Sequence, residues 1–225
     1  MSMIRLPLVA AMLLAAAPLV AQQAEAPPAP AAAPEAAQPE KTVPEKAAPE
    51  KQWKTERVKL QTAEGPIVLE LEVERAPATS ANFLKYVDQK KFDGITFYRA
   101  LTFPGRADLG LIQGGQRDQK KLLPAIAHEP TSKTGLSNRD GAIAMARGAP
   151  GSAQADFFII MGDLSTLDAS PKDPGFAVFG RVVEGMDVVK KIVAAPVSAT
   201  EGVGAMKGQM IAKPVPITTA RRVPK

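Results

Sequence analysis

The second, larger part of the chain contains many short runs with strand-like patterns and only two segments with helical spacing. Residues 58–62 and 67–73 alternate apolar and polar residues on either side of a turn at 64–66, which predicts a β-hairpin. Strand-like runs follow at 95–98, 111–113, 142–146, 157–161, 177–183 and 216–223. Many short strands with few helices favour a mainly β barrel or sandwich over a doubly wound parallel sheet.

Two segments have apolar residues at three- and four-residue spacing, at 77–87 and at 186–193. Together with the strands they lie between residue 53 and the end of the chain. About 170 residues are enough to bury a core, so residues 53–225 are predicted to form one domain.

Residues 1–26 have the pattern of a secretory signal peptide. A single charge at Arg5 precedes an uncharged stretch at 6–20, and small residues follow. The stretch is shorter than the roughly 20 residues of a membrane span, which disfavours the alternative of an uncleaved anchor. Cleavage after Ala21 or after Ala26 would leave a periplasmic or secreted protein with no stable membrane insertion.

Residues 27–52 consist mainly of Ala, Pro, Glu and Lys, with a loose Pro-Glu-Lys repeat at 39–41, 44–46 and 49–51. Nine of the 21 prolines lie in the first 50 residues. Such a segment has few large apolar side chains to bury, so we expect a disordered, extended linker. It serves either as a tether or as a passive leader.

Several kinds of catalytic site are excluded by composition. The chain has no Cys and one His, which rules out disulfides, thiol nucleophiles and zinc sites built on Cys or several His. Phosphate-binding, dinucleotide-binding and serine-hydrolase motifs are also missing. The lone His128 lies in a polar loop, and Ser152 has no other imidazole to activate it. We therefore expect neither a metal nor a cofactor.

Five segments concentrate the remaining chemistry: F-Y-R at 97–99, G-L-I-Q-G-G at 110–115, A-M-A-R at 144–147, F-F-I at 157–159 and F-A-V-F-G at 176–180. They place an Arg, a Gln and several aromatic residues on short strands, with glycines where the backbone must turn. The pattern indicates an apolar groove that contains one guanidinium and one amide. Any single segment would equally suit an ordinary barrel core.

In this order, the five segments resemble the cyclophilin-type peptidyl-prolyl cis/trans isomerases of the exported bacterial kind. The likeness extends from about Arg57 to Val223 and rests on the family patterns F-[HY]-R, Q-G-G, [LI]-[SA]-M-A and F-F-I. It implies a closed eight-stranded antiparallel barrel capped by two helices. It also implies a groove on the outer surface that binds proline-containing unfolded or flexible polypeptides.

The resemblance also implies roles for particular residues. Arg99 would be the catalytic donor and Gln113 would orient it. The proline pocket would be formed by Leu111, Phe158, Leu167 and Phe176. The backbone of Ala146 and Arg147 would pair with the peptide, and Asp156 would lie in the groove. The implied function is isomerisation of X-Pro bonds in exported proteins during folding; the alternative is a proline-binding chaperone or scaffold with little turnover.

The sequence departs from the family pattern at three places. Asp156 replaces a Gln, and could pair with Arg99 or point to solvent. The interval between Arg99 and Gln113 is about six residues longer than usual, and Gly110 stands where an aromatic residue is common, so we expect Phe103 to fill that place. Thr166 replaces an aromatic residue, which predicts weak binding of cyclosporin.

The net charge of +5 also raises the hypothesis of a polyanion-binding protein. The basic run at 117–121 is short and has no interleaved aromatic residues. We therefore expect a solvated surface, no nucleic-acid partner and a monomeric protein.

Overall fold

The computed structural model describes residues 51–224, so the predicted signal peptide and nearly all of the predicted linker lie outside the described residues. Eight strands form a closed antiparallel barrel in the order β1-β2-β7-β5-β6-β4-β3-β9, with β9 pairing back to β1. A two-residue strand, β8, is added outside the ring on β9. The strands are β1 Glu56–Thr62, β2 Gly65–Leu71, β3 Ile95–Phe103, β4 Arg106–Gly115, β5 Ala142–Met145, β6 Phe157–Met161, β7 Val178–Glu184, β8 Val197–Ser198 and β9 Met210–Val223. The predicted closed barrel is confirmed.

Three α-helices accompany the barrel: α1 Pro77–Asp88, α2 Thr131–Thr134 and α3 Met186–Val193. The two longer ones match the predicted helices, whereas α2 is a single turn inside a loop. Helix α1 begins with Pro77, which needs no hydrogen-bond acceptor at this position. The Glu129 carboxylate accepts hydrogen bonds from the backbone of Ala78 and Thr79, and so caps the helix from a distant loop. No helix in this part of the chain is long and apolar enough to cross a membrane.

Alternating residues sort the barrel wall into two apolar clusters. The inner cluster receives side chains from all eight strands and from α1 and α3, and Phe83, Phe157 and Phe179 lie at its centre. The buried members of the outer cluster come from β4, β5, β6 and β7, where every second residue points away from the core, and from the loop after β6. It contains Leu111, Ala142, Ala144, Phe158, Ile160, Leu164 and Val178. The outer apolar face therefore covers one side of the barrel.

The longer interval between Arg99 and Gln113 forms an extended β-hairpin. Sequence patterns predicted a strand ending at residue 98 and a short one at 111–113, but β3 continues to Phe103 and β4 begins at Arg106. Pro104 and Gly105 form the two-residue connection, and Gly105 has a φ of +75°. A Pro-Gly pair suits a turn whose second central residue has a positive φ. The inserted residues thus lengthen two strands of the barrel wall.

Candidate active site

A β-bulge at Tyr98 decides which way Arg99 points. Phe97 pairs with Gly114 and Arg99 pairs with Gln113, which leaves Tyr98 as the extra residue on β3. Phe97 belongs to the inner cluster, and strict alternation would have turned Arg99 inward as well. Because the bulge shifts the alternation by one residue, Arg99 lies on the outer face beside Gln113.

Two amide oxygens hold the Arg99 guanidinium. Gln113 Oε1 accepts a hydrogen bond from Nη1 at 2.6 Å. Gln209 Oε1 accepts from Nε at 2.8 Å and from Nη2 at 2.6 Å. Burial lowers the pKa of Arg99 from its usual value, but an arginine remains charged at any physiological pH. Three of its five N–H donors are used in this way, and two remain.

The predicted proline-pocket residues come together on the outer face. Gln113 lies opposite Phe158 on β6, so Arg99 and Phe158 are two strand spacings apart, about 10 Å. The rings of Phe158 and Phe176 meet edge to face with their centroids 5.3 Å apart. Leu167 packs against the same cluster, and its carbonyl accepts a hydrogen bond from the Phe176 backbone at 3.0 Å. Leu111 completes the predicted set.

Arg147 supports the pocket through its side chain. Its guanidinium lies over the Phe176 ring at 5.1 Å, and its Nε and Nη2 donate to the Gly175 carbonyl. Gly175 has a φ of +64°, and a Cβ there would lie 2.5 Å from the carbonyl carbon of Asp168. A glycine is therefore required next to Phe176. The predicted peptide pairing of the Ala146–Arg147 backbone stays a prediction, although the Ala146 N–H already donates to the Asp156 carbonyl.

The two positions expected for Asp156 are both wrong. Its Oδ2 accepts a hydrogen bond from the Tyr98 hydroxyl at 3.0 Å, and that hydroxyl accepts one from Gln113 Nε2 at 2.7 Å. Asp156 is therefore linked to Arg99 only through Tyr98 and Gln113. The carboxylate lies over Gly115, where a Cβ would meet Oδ1. Oδ1 is buried and has no hydrogen-bond partner within residues 51–224.

Burial also changes the acidity of this chain of groups. It raises the pKa of Asp156, and the Tyr98 hydrogen bond and the Arg117 charge offset this only in part. Burial and the Asp156 charge raise the pKa of Tyr98 to about 12. The Arg117 guanidinium lies over the Tyr98 ring at 4.6 Å. At neutral pH Tyr98 is therefore a neutral phenol that donates a hydrogen bond to Asp156.

The inserted hairpin adds apolar side chains to the outer face, but not the one that was expected. The expectation for Phe103 is wrong, because this residue lies at the hairpin tip with 36% of its surface exposed. Leu101 and Leu109, from the two strands of the hairpin, pack against the outer cluster instead. A Cβ at Gly110 would lie 2.8 Å from both the Leu101 carbonyl and Val193, so no larger residue fits there.

Sequence reasoning missed two members of the site, Tyr98 and Gln209. Tyr98 stands next to Arg99 in the F-Y-R segment, but the segment gives no sign that its hydroxyl lies between Gln113 and Asp156. Gln209 is 110 positions from Arg99 and lies in no strand-like or helical run, so nothing in the sequence connects them. No group of three or more metal-ligating side chains occurs among the described residues.

The chain matches the family model described as "Cyclophilin type peptidyl-prolyl cis-trans isomerase/CLD" over residues 57–221. A peptidyl-prolyl cis-trans isomerase of Acinetobacter baylyi is 39% identical over 144 residues, which cover 63% of this chain and 73% of the relative. Peptidyl-prolyl cis-trans isomerase A of Dickeya dadantii is 36% identical over 173 residues, which cover 75% of this chain and 85% of the relative.

Solved structures show the same fold. The crystal structure of a cyclophilin-type peptidyl-prolyl cis-trans isomerase of Cryptosporidium parvum superposes with a TM-score of 0.62 at 18% identity, and covers 76% of this chain and 99% of that one. A second structure of that protein, in the presence of the dipeptide Ala-Pro, has a TM-score of 0.60.

Proposed function

The chain belongs to the cyclophilin-type peptidyl-prolyl cis-trans isomerases, and from this premise we propose that Arg99 catalyses X-Pro isomerisation of exported polypeptides in the outer groove. Rotation about an X-Pro bond breaks no covalent bond. Its barrier of about 18–20 kcal/mol comes from the loss of amide resonance. The reaction therefore needs a grip on the proline and a donor for the twisted bond.

The outer cluster supplies the grip. The proline ring would pack on Phe158 and Leu111, beside Leu167 and under the edge of Phe176. These side chains come from three separate segments that are tied together by backbone hydrogen bonds and by Arg147. Such a pocket is formed before the peptide arrives, so little ordering is required on binding. The likeness to a structure determined with Ala-Pro supports a proline-containing ligand.

Arg99 supplies the donor. When the C–N bond twists, the proline nitrogen loses conjugation and gains a lone pair. A guanidinium N–H that points at this nitrogen stabilises the twisted state more than the planar one, which is the condition for catalysis. No proton has to be transferred, so a permanently charged group suits the task.

The observation that carries the proposal is the kind of acceptor that holds Arg99. Gln113 and Gln209 fix the guanidinium with uncharged amide oxygens. A carboxylate in either place would neutralise the positive charge and use more of the donors. In a half-buried site next to an apolar cluster, the charge that remains acts strongly on a peptide in the groove.

Export is the second part of the proposal. The pattern of residues 1–26 supports secretion to the periplasm or beyond, with residues 27–52 as a spacer. We also propose a monomer, because Arg99, Gln113, Gln209 and the apolar pocket all belong to one chain. Mass spectrometry of the protein from its native host tests export: a mature N-terminus after residue 21 or 26 is expected, whereas an intact Met1 in a cytoplasmic fraction would contradict it.

Catalysis is tested with a tetrapeptide of the Ala-Ala-Pro-Phe type, whose cis-to-trans conversion is followed by a coupled protease. We expect submicromolar protein to accelerate the conversion in proportion to its concentration. A proline-binding protein without turnover would bind the peptide and leave the rate unchanged even at micromolar protein, and that result would replace this proposal with the binding function. The polyanion hypothesis requires heparin binding that survives physiological salt, so a protein that releases heparin at that salt concentration would contradict it.

A further inference from the structure

Gln209 is placed beside Arg99 by the backbone. It ends the segment between β8 and β9, and the first residue of β9, Met210, pairs with Arg99 on β3. The Ala100 N–H donates to the Gln209 carbonyl at 3.0 Å. The main chain of Gln209 is therefore joined to the strand that carries Arg99, one residue away from it.

The side chain of Gln209 makes the larger share of the contacts to the guanidinium. Its single oxygen accepts from both Nε and Nη2 of Arg99, whereas Gln113 accepts from Nη1 alone. Gln209 Nε2 donates to the Ala205 carbonyl at 2.8 Å. Since the amide nitrogen is occupied there, the amide oxygen is the end that faces Arg99.

The two glutamines contact different nitrogens of the planar Arg99 guanidinium. A guanidinium held at one nitrogen can still turn about its last side-chain bonds. Contacts at Nε, Nη1 and Nη2 together fix the plane, and so fix the direction of the two N–H groups that are left. Catalysis depends on that direction, because a misplaced donor stabilises the twisted bond less.

We infer that Gln209 is a positioning residue for Arg99, and that it couples the segment between β8 and β9 to the rate of isomerisation. This inference rests on the proposed function of Arg99. It predicts an effect on turnover and not on peptide binding, because the outer cluster that would grip the proline contains no part of this segment.

The test compares three variants of the full-length protein. Gln209→Ala removes the acceptor, whereas Gln209→Glu keeps acceptor oxygens at the same reach but adds a negative charge. Ser198→Ala is the matched control: Ser198 ends β8, and its Oγ accepts a hydrogen bond from the Glu201 N–H of this segment and none from Arg99. For each we would measure kcat and KM on a proline peptide. We would also measure the hydrogen-exchange rate of the Arg99 Nε–H by NMR, which does not depend on activity.

We expect Gln209→Ala to lower kcat about tenfold with KM nearly unchanged, and to speed exchange of the Arg99 Nε–H. Gln209→Glu should keep that proton protected but remain slow, because its carboxylate neutralises the guanidinium charge, and Ser198→Ala should resemble the parent. A normal kcat in Gln209→Ala would overturn the inference. So would an equal loss in Ser198→Ala, or an Arg99 Nε–H that exchanges as fast in Gln209→Glu as in Gln209→Ala.

The two readouts separate this inference from the proposed function. If the parent protein itself does not accelerate isomerisation, the proposed function fails. The exchange rate would then still decide whether Gln209 holds Arg99: an Nε–H that exchanges equally fast with and without Gln209 would show that the contact does not position the guanidinium.

Discussion

The inner and outer faces of one barrel wall have different roles, although their side chains come from neighbouring residues. On β6, Phe157 points into the core, where its ring meets Phe83 and Phe97, while Phe158 points outward to Phe176. The inner cluster contains buried residues from every strand of the barrel, whereas the buried residues of the outer cluster come from four strands and one loop. A row that runs Arg99, Gln113, Phe158 crosses three strands of this outer face.

Adjacent residues of one strand therefore contribute to different properties, the inner one to stability and the outer one to function. The inner face is almost entirely apolar and is packed by aromatic rings on several sides. The outer face combines an apolar pocket with a polar row, and its loop-borne members are held by hydrogen bonds. We therefore expect substitutions on the inner face to change the free energy of unfolding, and those on the outer face to change the reaction.

The largest expected effect is that of Phe157→Ala on the inner face. The side chain is fully buried and contacts three other rings, so its removal leaves a cavity. We expect the free energy of unfolding to fall by about 3–5 kcal/mol. Urea unfolding followed by circular dichroism measures this change. A loss below about 1 kcal/mol would show that the inner cluster is not the core that the structure describes.

Phe176→Ala makes the same chemical change on the outer face. Phe176 is half-buried between Phe158 and Arg147. We expect a loss of only about 1 kcal/mol in stability, since mainly one aromatic pair is broken. Peptide affinity should fall about tenfold, because the pocket loses one wall. Titration of a proline peptide by NMR measures the affinity. An unchanged affinity with strongly reduced stability would show that Phe176 supports the core and not the pocket.

The smallest expected effect is that of Asp156→Asn, and it depends on pH. Burial raises the pKa of Asp156 in the folded protein above its ordinary value of 3.8. Between pH 3.8 and the raised pKa, the folded state binds more protons than the unfolded state. The free energy of unfolding therefore falls as pH rises through this window. The Asn side chain does not titrate, which removes that fall.

Unfolding curves of the parent and of Asp156→Asn between about pH 4 and pH 7 would test this prediction. We expect the free energy of unfolding of the variant to rise relative to that of the parent as pH rises. The difference should reach about 1 kcal/mol at neutral pH, because the parent carries a charged and unpartnered buried oxygen. A gap that stays constant or narrows with rising pH would contradict the raised pKa.

Most of the strands could be predicted because the alternation of apolar and polar residues is a local pattern that can be read from a few neighbouring positions. The eight barrel strands all begin or end near predicted runs. The β6 sequence Phe-Phe-Ile-Ile-Met is apolar throughout and marks neither face, so the choice of Phe158 for the pocket came from the family resemblance. The extended hairpin was missed although Pro104 and Gly105 stand between two alternating stretches, which is a usable hairpin signal. The closed ring and its strand order came from the family resemblance.

The site was less predictable, because it depends on contacts that are distant in sequence. The resemblance indicated Arg99, Gln113 and the pocket residues, and the structure brings them to one face. The bulge at Tyr98 changes which face Arg99 joins, and alternation alone would give the opposite answer. Gln209 reaches Arg99 only because β9 returns beside β3, which closes the barrel.

Catalysis in the outer groove depends most on one guanidinium, that of Arg99, and NMR exchange spectroscopy of a proline peptide tests its role directly. The measurement gives the cis/trans exchange rate in the presence of the parent protein and of Arg99→Ala, at concentrations where both bind the peptide. We predict that Arg99→Ala loses a factor of about 10² to 10³ in the catalysed rate while it binds the peptide and unfolds like the parent. A rate within a few-fold of the parent would show that Arg99 is not the donor.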